Sequence, residues 1–201
     1  MAVGLRLADV RTGLAVIEIA GIRYAFHGHA IVSADDRIAD ATGRTPPGLR
    51  IAADWARFQA ALDRSVLTVV GRLGHEANPN RRGRNRLVLS SGAAGVERRD
   101  DAWWWNPAAA PLAKALALAA PQGGLVAVPG GRRVFDLFLE IGYDEFHLTR
   151  VDHVRLGAGV PLFSAVASGS DAEAVLAAHG LVAGPPLPLE PGVRLVLWRK
   201  P

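Results

Sequence analysis

Asp54 is the residue whose type and surroundings best suit proton chemistry. It lies in the run DWARF, three residues after Ile51 and four before Phe58. Ile51, Trp55, Phe58 and Leu62 recur at spacings of four, three and four, which predicts a helix with one apolar stripe. Asp54 borders that stripe. A carboxylate at such a border loses part of its hydration, so its pKa rises and it becomes able to hold or deliver a proton near neutral pH. An aspartate early in a helix also reads as a solvated partner of the helix dipole. Position alone leaves both readings open.

Two further segments have the composition of anion sites. Pro129-Gly130-Gly131-Arg132-Arg133 falls between a strand-like and a helix-like run, where glycine lets a ligand approach the backbone and helix amides attract phosphate. The two arginines add charge-assisted donors. Gly71-Arg72 repeats the theme directly after an aliphatic run, at the strand end where open α/β sheets bind ligands. Either turn also serves as a plain connection.

Arg81, Arg82, Arg84 and Arg86 concentrate positive charge in one loop, suited to a carboxylate or simply to solvent. No aromatic residues interleave there, so no nucleic-acid partner is expected. Trp103, Trp104 and Trp105 would alternate between the faces of a strand and pack a sheet edge. The six histidines, His27 and His29 among them, show no helical HxxxH spacing, and no metal site is expected.

The elements that must position these groups alternate between aliphatic runs and helical periods, which is α/β organisation. Strands are expected at 28–33, 66–70, 86–90, 125–128, 145–151 and 193–198, the last as an edge or final strand. Helices are expected at 51–62, 111–120 and 133–141. Residues 41–48, rich in Gly and Pro, form a loop, 157–161 a turn, and 1–26 an extension with a possible hairpin at Arg11-Thr12-Gly13. Residues 27–201 are expected to form one domain.

Composition narrows the field. Of 201 residues, 50% are hydrophobic and 21% charged, ordinary globular values that exclude disorder over the whole chain. The absence of cysteine removes disulfides, thiolate metal sites and cysteine nucleophiles together. Lys plus Arg number 23 against 19 Asp plus Glu, a net +4 that suits an anionic small molecule without requiring a polyanion. No apolar run reaches membrane-spanning length, and Asp9, Arg11 and Glu18 interrupt any signal-like segment. A cytoplasmic protein without membrane contact is expected; the oligomeric state is open.

Read in order, AIVSADDRIAD, DWARF, VVGR, RNRLVLSS, VPGGRRVFDLFL and FHLTRVD resemble the dihydrofolate reductase family from about residue 28 to 165. In that family an Asp precedes a Phe by four on the first helix, Gly-Arg ends the next strand, and Gly-Gly opens a later helix. The resemblance implies a central, mostly parallel sheet flanked by helices, with an antiparallel C-terminal edge. It implies NADPH as cofactor and a dihydropterin as substrate, reduced by hydride transfer. Asp54 would then be catalytic, binding the pterin's 2-amino group and ring nitrogen, with Thr149 hydrogen-bonded behind it. Ile31, Val32, Phe58 and Pro129 would also contact substrate, and Arg84 would hold its tail carboxylate.

The resemblance assigns the cofactor to Val32, Ile38, Gly71, Arg72, Leu73, Gly74, Ser90, Ser91, Gly130, Gly131, Arg132, Arg133, Val134 and Phe135. Arg72 and the serines would lie near the adenosine phosphate, and a cis peptide is implied at Gly130-Gly131. Three positions depart from the family pattern. Pro46-Pro47 stands where Pro-Trp is usual, Gly74 replaces a helix-capping threonine, and Phe135 replaces a tyrosine. GHEANP and LGAGVPLF are similar to the pyrimidine reductases of riboflavin synthesis, which makes that activity the alternative. A non-catalytic nucleotide-binding protein of the same fold is a third reading. A dihydropterin other than folate, such as dihydromethanopterin, fits a divergent tail site.

Overall fold

The computed structural model describes residues 17–19 and 21–201. In chain order the elements are β1 (Ile17–Ile19), β2 (Ile22–Ser33), β3 (Arg37–Ala39), α1 (Ala52–Arg64), β4 (Leu67–Gly71), α2 (Arg72–Ala77), β5 (Arg86–Leu89), β6 (Val96–Arg99) and β7 (Ala102–Trp105). There follow α3 (Leu112–Ala119), β8 (Gly124–Gly130), α4 (Arg132–Ile141), β9 (Glu145–Val151), β10 (Val160–Pro161), α5 (Ser164–Ala167), α6 (Ala172–Ala178), β11 (Val182–Ala183), β12 (Leu187–Glu190) and β13 (Val193–Arg199). Among the described residues no helix is long and apolar enough to cross a membrane.

The main sheet runs β11-β13-β9-β2-β8-β4-β5-β7-β6. Its six central strands, β9 to β7, are mutually parallel, while β13 and β6 close the two sides in antiparallel pairing. This is the expected α/β architecture, a mostly parallel sheet with an antiparallel C-terminal edge and flanking helices. The strand at the C-terminus is the last in sequence but not the outermost, because β11 and β12 both pair with β13. β2 begins at Ile22, so residues 22–26 belong to the central sheet, and β1 pairs with its start through Ile19 opposite Ile22. The hairpin expected at Arg11-Thr12-Gly13 lies outside the described residues.

Alternation along β2 and β9 sorts their side chains onto two faces. Tyr24, Phe26, Phe146 and Leu148 enter the main core with Phe135 and Phe138 of α4. Gly28 shares that face because nothing larger fits: a Cβ there would lie 2.1 Å from the Phe146 ring. The opposite face carries His27, His29, Ile31, Glu145, His147 and Thr149, and α1 crosses it. The helix has Leu62 and Ala61 buried, whereas Trp55, expected in the apolar stripe, is 59% exposed and Ile51 is the residue before the helix. The N-terminal half of the stripe therefore faces an open cleft. The tryptophan row forms β7, with Trp105 buried and Arg98 and Arg99 stacked over Trp103 and Trp104.

Candidate active site

A cleft of about 2390 Å³ runs along the carboxyl ends of the parallel strands, well beyond the few hundred to a thousand Å³ of a single-ligand pocket. Three neighbouring strands each supply a turn to it. β8 ends in Gly130-Gly131, β4 in Gly71-Arg72, and Ser90-Ser91 follow β5. Gly130 and Gly131 have φ of 76° and 98°, a region that L side chains rarely adopt. A Cβ on Gly130 would lie 2.3 Å from the Phe135 ring, while one on Gly131 would meet nothing within 4 Å. Gly130 is thus held against the core and Gly131 opens to the cleft. The bond between them is trans, since no cis peptide occurs among the described residues. Positive φ at both glycines turns the chain without the expected cis bond.

α4 begins at this turn with no side-chain cap. Among the described residues, the backbone N–H groups of Arg132 and Arg133 have no protein acceptor. α2 likewise starts uncapped at Gly71, and a Cβ on Gly71 would lie 3.5 Å from Val134 and 3.8 Å from the Gly130 carbonyl. Two uncapped helix starts thus sit side by side, and together they suit the diphosphate of a dinucleotide. Leu73, Gly74, Ile38, Arg132, Arg133 and Val134 line the same cleft. Arg72 is half exposed and paired with Glu76 at 2.9 Å, so a phosphate there would have to exchange with that carboxylate. Phe135 is 1% exposed and supports the glycine turn from beneath.

At the other end of the cleft, Thr149 Oγ1 donates a 2.5 Å hydrogen bond to Asp54 Oδ1, the pairing expected from the resemblance. Burial raises the Asp54 pKa, against the opposing pull of the Thr149 hydrogen bond and of nearby Arg57 and His147. Phe58 packs one helical turn on, with its ring centroid 5.7 Å from Trp55 and 6.0 Å from His29. Ile31 and Pro129 line the floor. Val32, expected among both substrate and cofactor contacts, does not, because adjacent strand residues point oppositely and its side chain is fully buried in the main core. Arg84 reaches the cleft with its guanidinium already committed: Nη2 donates to Asp63 at 2.6 Å and to Gln59 at 2.9 Å. Only Nη1 remains without a bond here for a substrate carboxylate.

His29, His147, Trp55 and Arg57 line the cleft as well, and none of them was expected at the site from the sequence. His29 and His147 stand beside each other across the β2–β9 pairing, with ring centroids 4.3 Å apart. Burial first, and then the neighbouring histidines, lower the His29 pKa to about 2, so this ring is neutral. Next to them, His147 and Arg199 hold the Glu145 carboxyl down at about 2. The period-two pairs His27/His29 and Glu145/His147 were visible in sequence; their register against each other was not.

The sequence matches no family model and no curated protein. Solved structures do share the fold. A pyrimidine reductase-like protein of Corynebacterium diphtheriae aligns with a TM-score of 0.63 at 15% identity, over 88% of this chain and 91% of that one. A protein assigned to riboflavin biosynthesis in Shewanella sp. PV-4 gives 0.61 at 20%, over 88% and 99%. Dihydrofolate reductase of Enterococcus faecalis, solved with NADP(H), gives 0.59 at 14%, over 87% and 95%. The chain therefore has the dihydrofolate reductase-like fold.

Proposed function

We propose that the protein is an NADPH-dependent reductase that transfers hydride to a dihydropterin and yields the tetrahydro form. The observation that carries this reading is the partly buried Asp54–Thr149 pair at one end of a cleft whose other end is built from paired glycine-led helix starts. Such a layout provides a proton site and a dinucleotide site on one continuous surface. The structural neighbours include reductases, one of them solved with NADP(H).

NADPH, when bound, supplies the hydride, and the protein supplies position and a proton. The free amides of Arg132 and Arg133 would hold the diphosphate, and Arg72 with Ser90 and Ser91 would hold the adenosine phosphate. Thr149 occupies Asp54 Oδ1, which leaves Oδ2 to accept from the 2-amino group and ring nitrogen of a pterin. Phe58 packs against the flat ring. Because burial raises its pKa, Asp54 exchanges a proton more readily near neutral pH than an exposed carboxylate, and it supports protonation of a different nitrogen of the bound ring, the C=N nitrogen beside the carbon that takes the hydride.

The test is loss of NADPH absorbance with dihydrofolate, dihydromethanopterin and the ribosylaminopyrimidine intermediate of riboflavin synthesis, run in parallel. Turnover of a dihydropterin is expected. Turnover of the pyrimidine alone replaces the pterin assignment, and turnover of none of the three rejects a reductase acting on these substrates.

A further inference from the structure

We propose that His27, Glu145 and His147 form a binding site for one divalent ion of the zinc class. One ligand atom from each lies within 4.8 Å of those of the other two. Their convergence follows from strand geometry. His27 of β2 stands in register with Glu145 of β9, and His147, two residues along, shares their face of the sheet. β2 and β9 are interior strands paired on both sides, so the backbone beneath the three ligands is rigid and the site is largely preformed.

The polar atoms are in an unfinished state. His147 Nε2 lies 2.6 Å from Glu145 Oε1, yet it is buried and has no hydrogen-bond partner of sound geometry. His29 Nε2, on a ring tilted against that of His147 with centroids 4.3 Å apart, is also buried and unpartnered, and that residue is only 8% exposed. Glu145 Oε2 accepts from Arg199 Nε at 2.5 Å, which orients the carboxylate and leaves Oε1 beside the His147 imidazole. A carboxylate so held from behind is the usual support for a metal-ligating oxygen.

Two imidazole nitrogens and one carboxylate oxygen form a donor set suited to zinc and its neighbours, not to magnesium or calcium, which prefer all-oxygen shells. With bonds of about 2.0–2.1 Å and tetrahedral angles, ligand atoms stand roughly 3.3 Å apart. The three ligand atoms, now within 4.8 Å of one another, must draw together to that spacing as the ion binds. Three protein ligands leave a fourth position for water. The site lies two residues along β9 from Thr149 and uses neither that residue nor Asp54, so it stands or falls independently of the proposed reductase activity.

The full chain without an affinity tag, stripped by chelator, is titrated with Zn²⁺ against a chromophoric competitor, and with Co²⁺ for its visible absorption. One equivalent is expected to bind, with Co²⁺ giving the intense bands of a tetrahedral site. His27→Ala and Glu145→Gln should each weaken Zn²⁺ by more than about tenfold, while His153→Ala, remote from the cluster, should not. His27→Gln at a half-exposed position, checked by circular dichroism, separates ligand loss from misfolding. Absence of stoichiometric binding by the unaltered chain overturns the proposal. Binding that survives both His27→Ala and Glu145→Gln unchanged overturns it equally.

Discussion

The two faces of β2 and β9 are made from the same fourteen-residue ladder of paired positions, yet they do opposite work. One face holds Phe26, Phe146 and Leu148, each at most 2% exposed. Phe146 packs within 5.7 Å, centroid to centroid, of Phe135, Tyr143 and Phe163. The other face holds His27, His29, Glu145, His147 and Thr149 under Asp54. Burial of apolar area stabilises the first face. Burial of ionisable groups on the second gives up some stability and in return shifts their proton affinity. A single period-two pattern therefore places a core and a titratable surface one residue apart.

The largest expected effect falls on the apolar face. Phe146→Ala should cost about 3–5 kcal/mol of stability by leaving a large cavity, measured by denaturant unfolding. In whatever fraction stays folded, cofactor affinity should be retained. A loss well under 1 kcal/mol would break the comparison, since it would mean that this face is not what holds the sheet together.

Asp54→Asn should act in the opposite sense. Hydride transfer near neutral pH should slow by about 100-fold, roughly 2.7 kcal/mol of transition-state stabilisation, with NADPH affinity nearly unchanged. The folded-state pKa of Asp54 is raised by burial. Its ionised form therefore disfavours folding, and that cost grows as pH rises through the folded-state pKa. The variant should accordingly be no less stable than the parent at pH 7. Its catalytic deficit should shrink in acid, where solvent can pre-protonate the substrate. Unchanged turnover from pH 5 to 8 would assign proton delivery to another group.

Further along the cleft, NADPH should be preferred to NADH, and Arg72→Ala should narrow that preference by about tenfold, or ~1.4 kcal/mol. The figure is below that of a buried charge-assisted bond because Arg72 is half exposed and must leave Glu76. Equal affinity of the unaltered protein for both cofactors, found by titration, would remove Arg72 from the cofactor site.

The smallest effect concerns Asp35, in the loop after β2. Burial pushes its pKa up, but the Ser33 hydroxyl and the Leu156 and Gly157 amides overcome this and hold it below the ordinary value. Its stabilisation is therefore present above the ordinary carboxylate pKa and fades as pH falls through the depressed one. Asp35→Asn should lose on the order of 1 kcal/mol at pH 7, with the gap to the parent closing as pH falls below the ordinary carboxylate pKa. A gap that stays constant with pH would show that the charge of Asp35 plays no part.

Local pattern by itself determined the elements that carry this chemistry. The run EFHLTRV marked residues 145–151 as a strand with the bounds observed for β9, and glycines at 130 and 131 marked the passage from strand to helix. The resemblance carried by the ordered set of short segments pointed to Asp54 with Thr149 behind it. Tertiary structure decided what local pattern cannot encode. Alternation says that Ile31 and Val32 face opposite sides, but only packing shows that Val32 has the core side. An arginine-rich loop reads as available charge until Asp63 and Gln59 of α1 are found against Arg84. Histidine spacing along one strand excludes a helical metal motif and is silent about a ligand on another. His27 meets Glu145 only because β2 and β9 pair in parallel at one register, and a slip of one residue would turn the whole row of titratable groups to the other face.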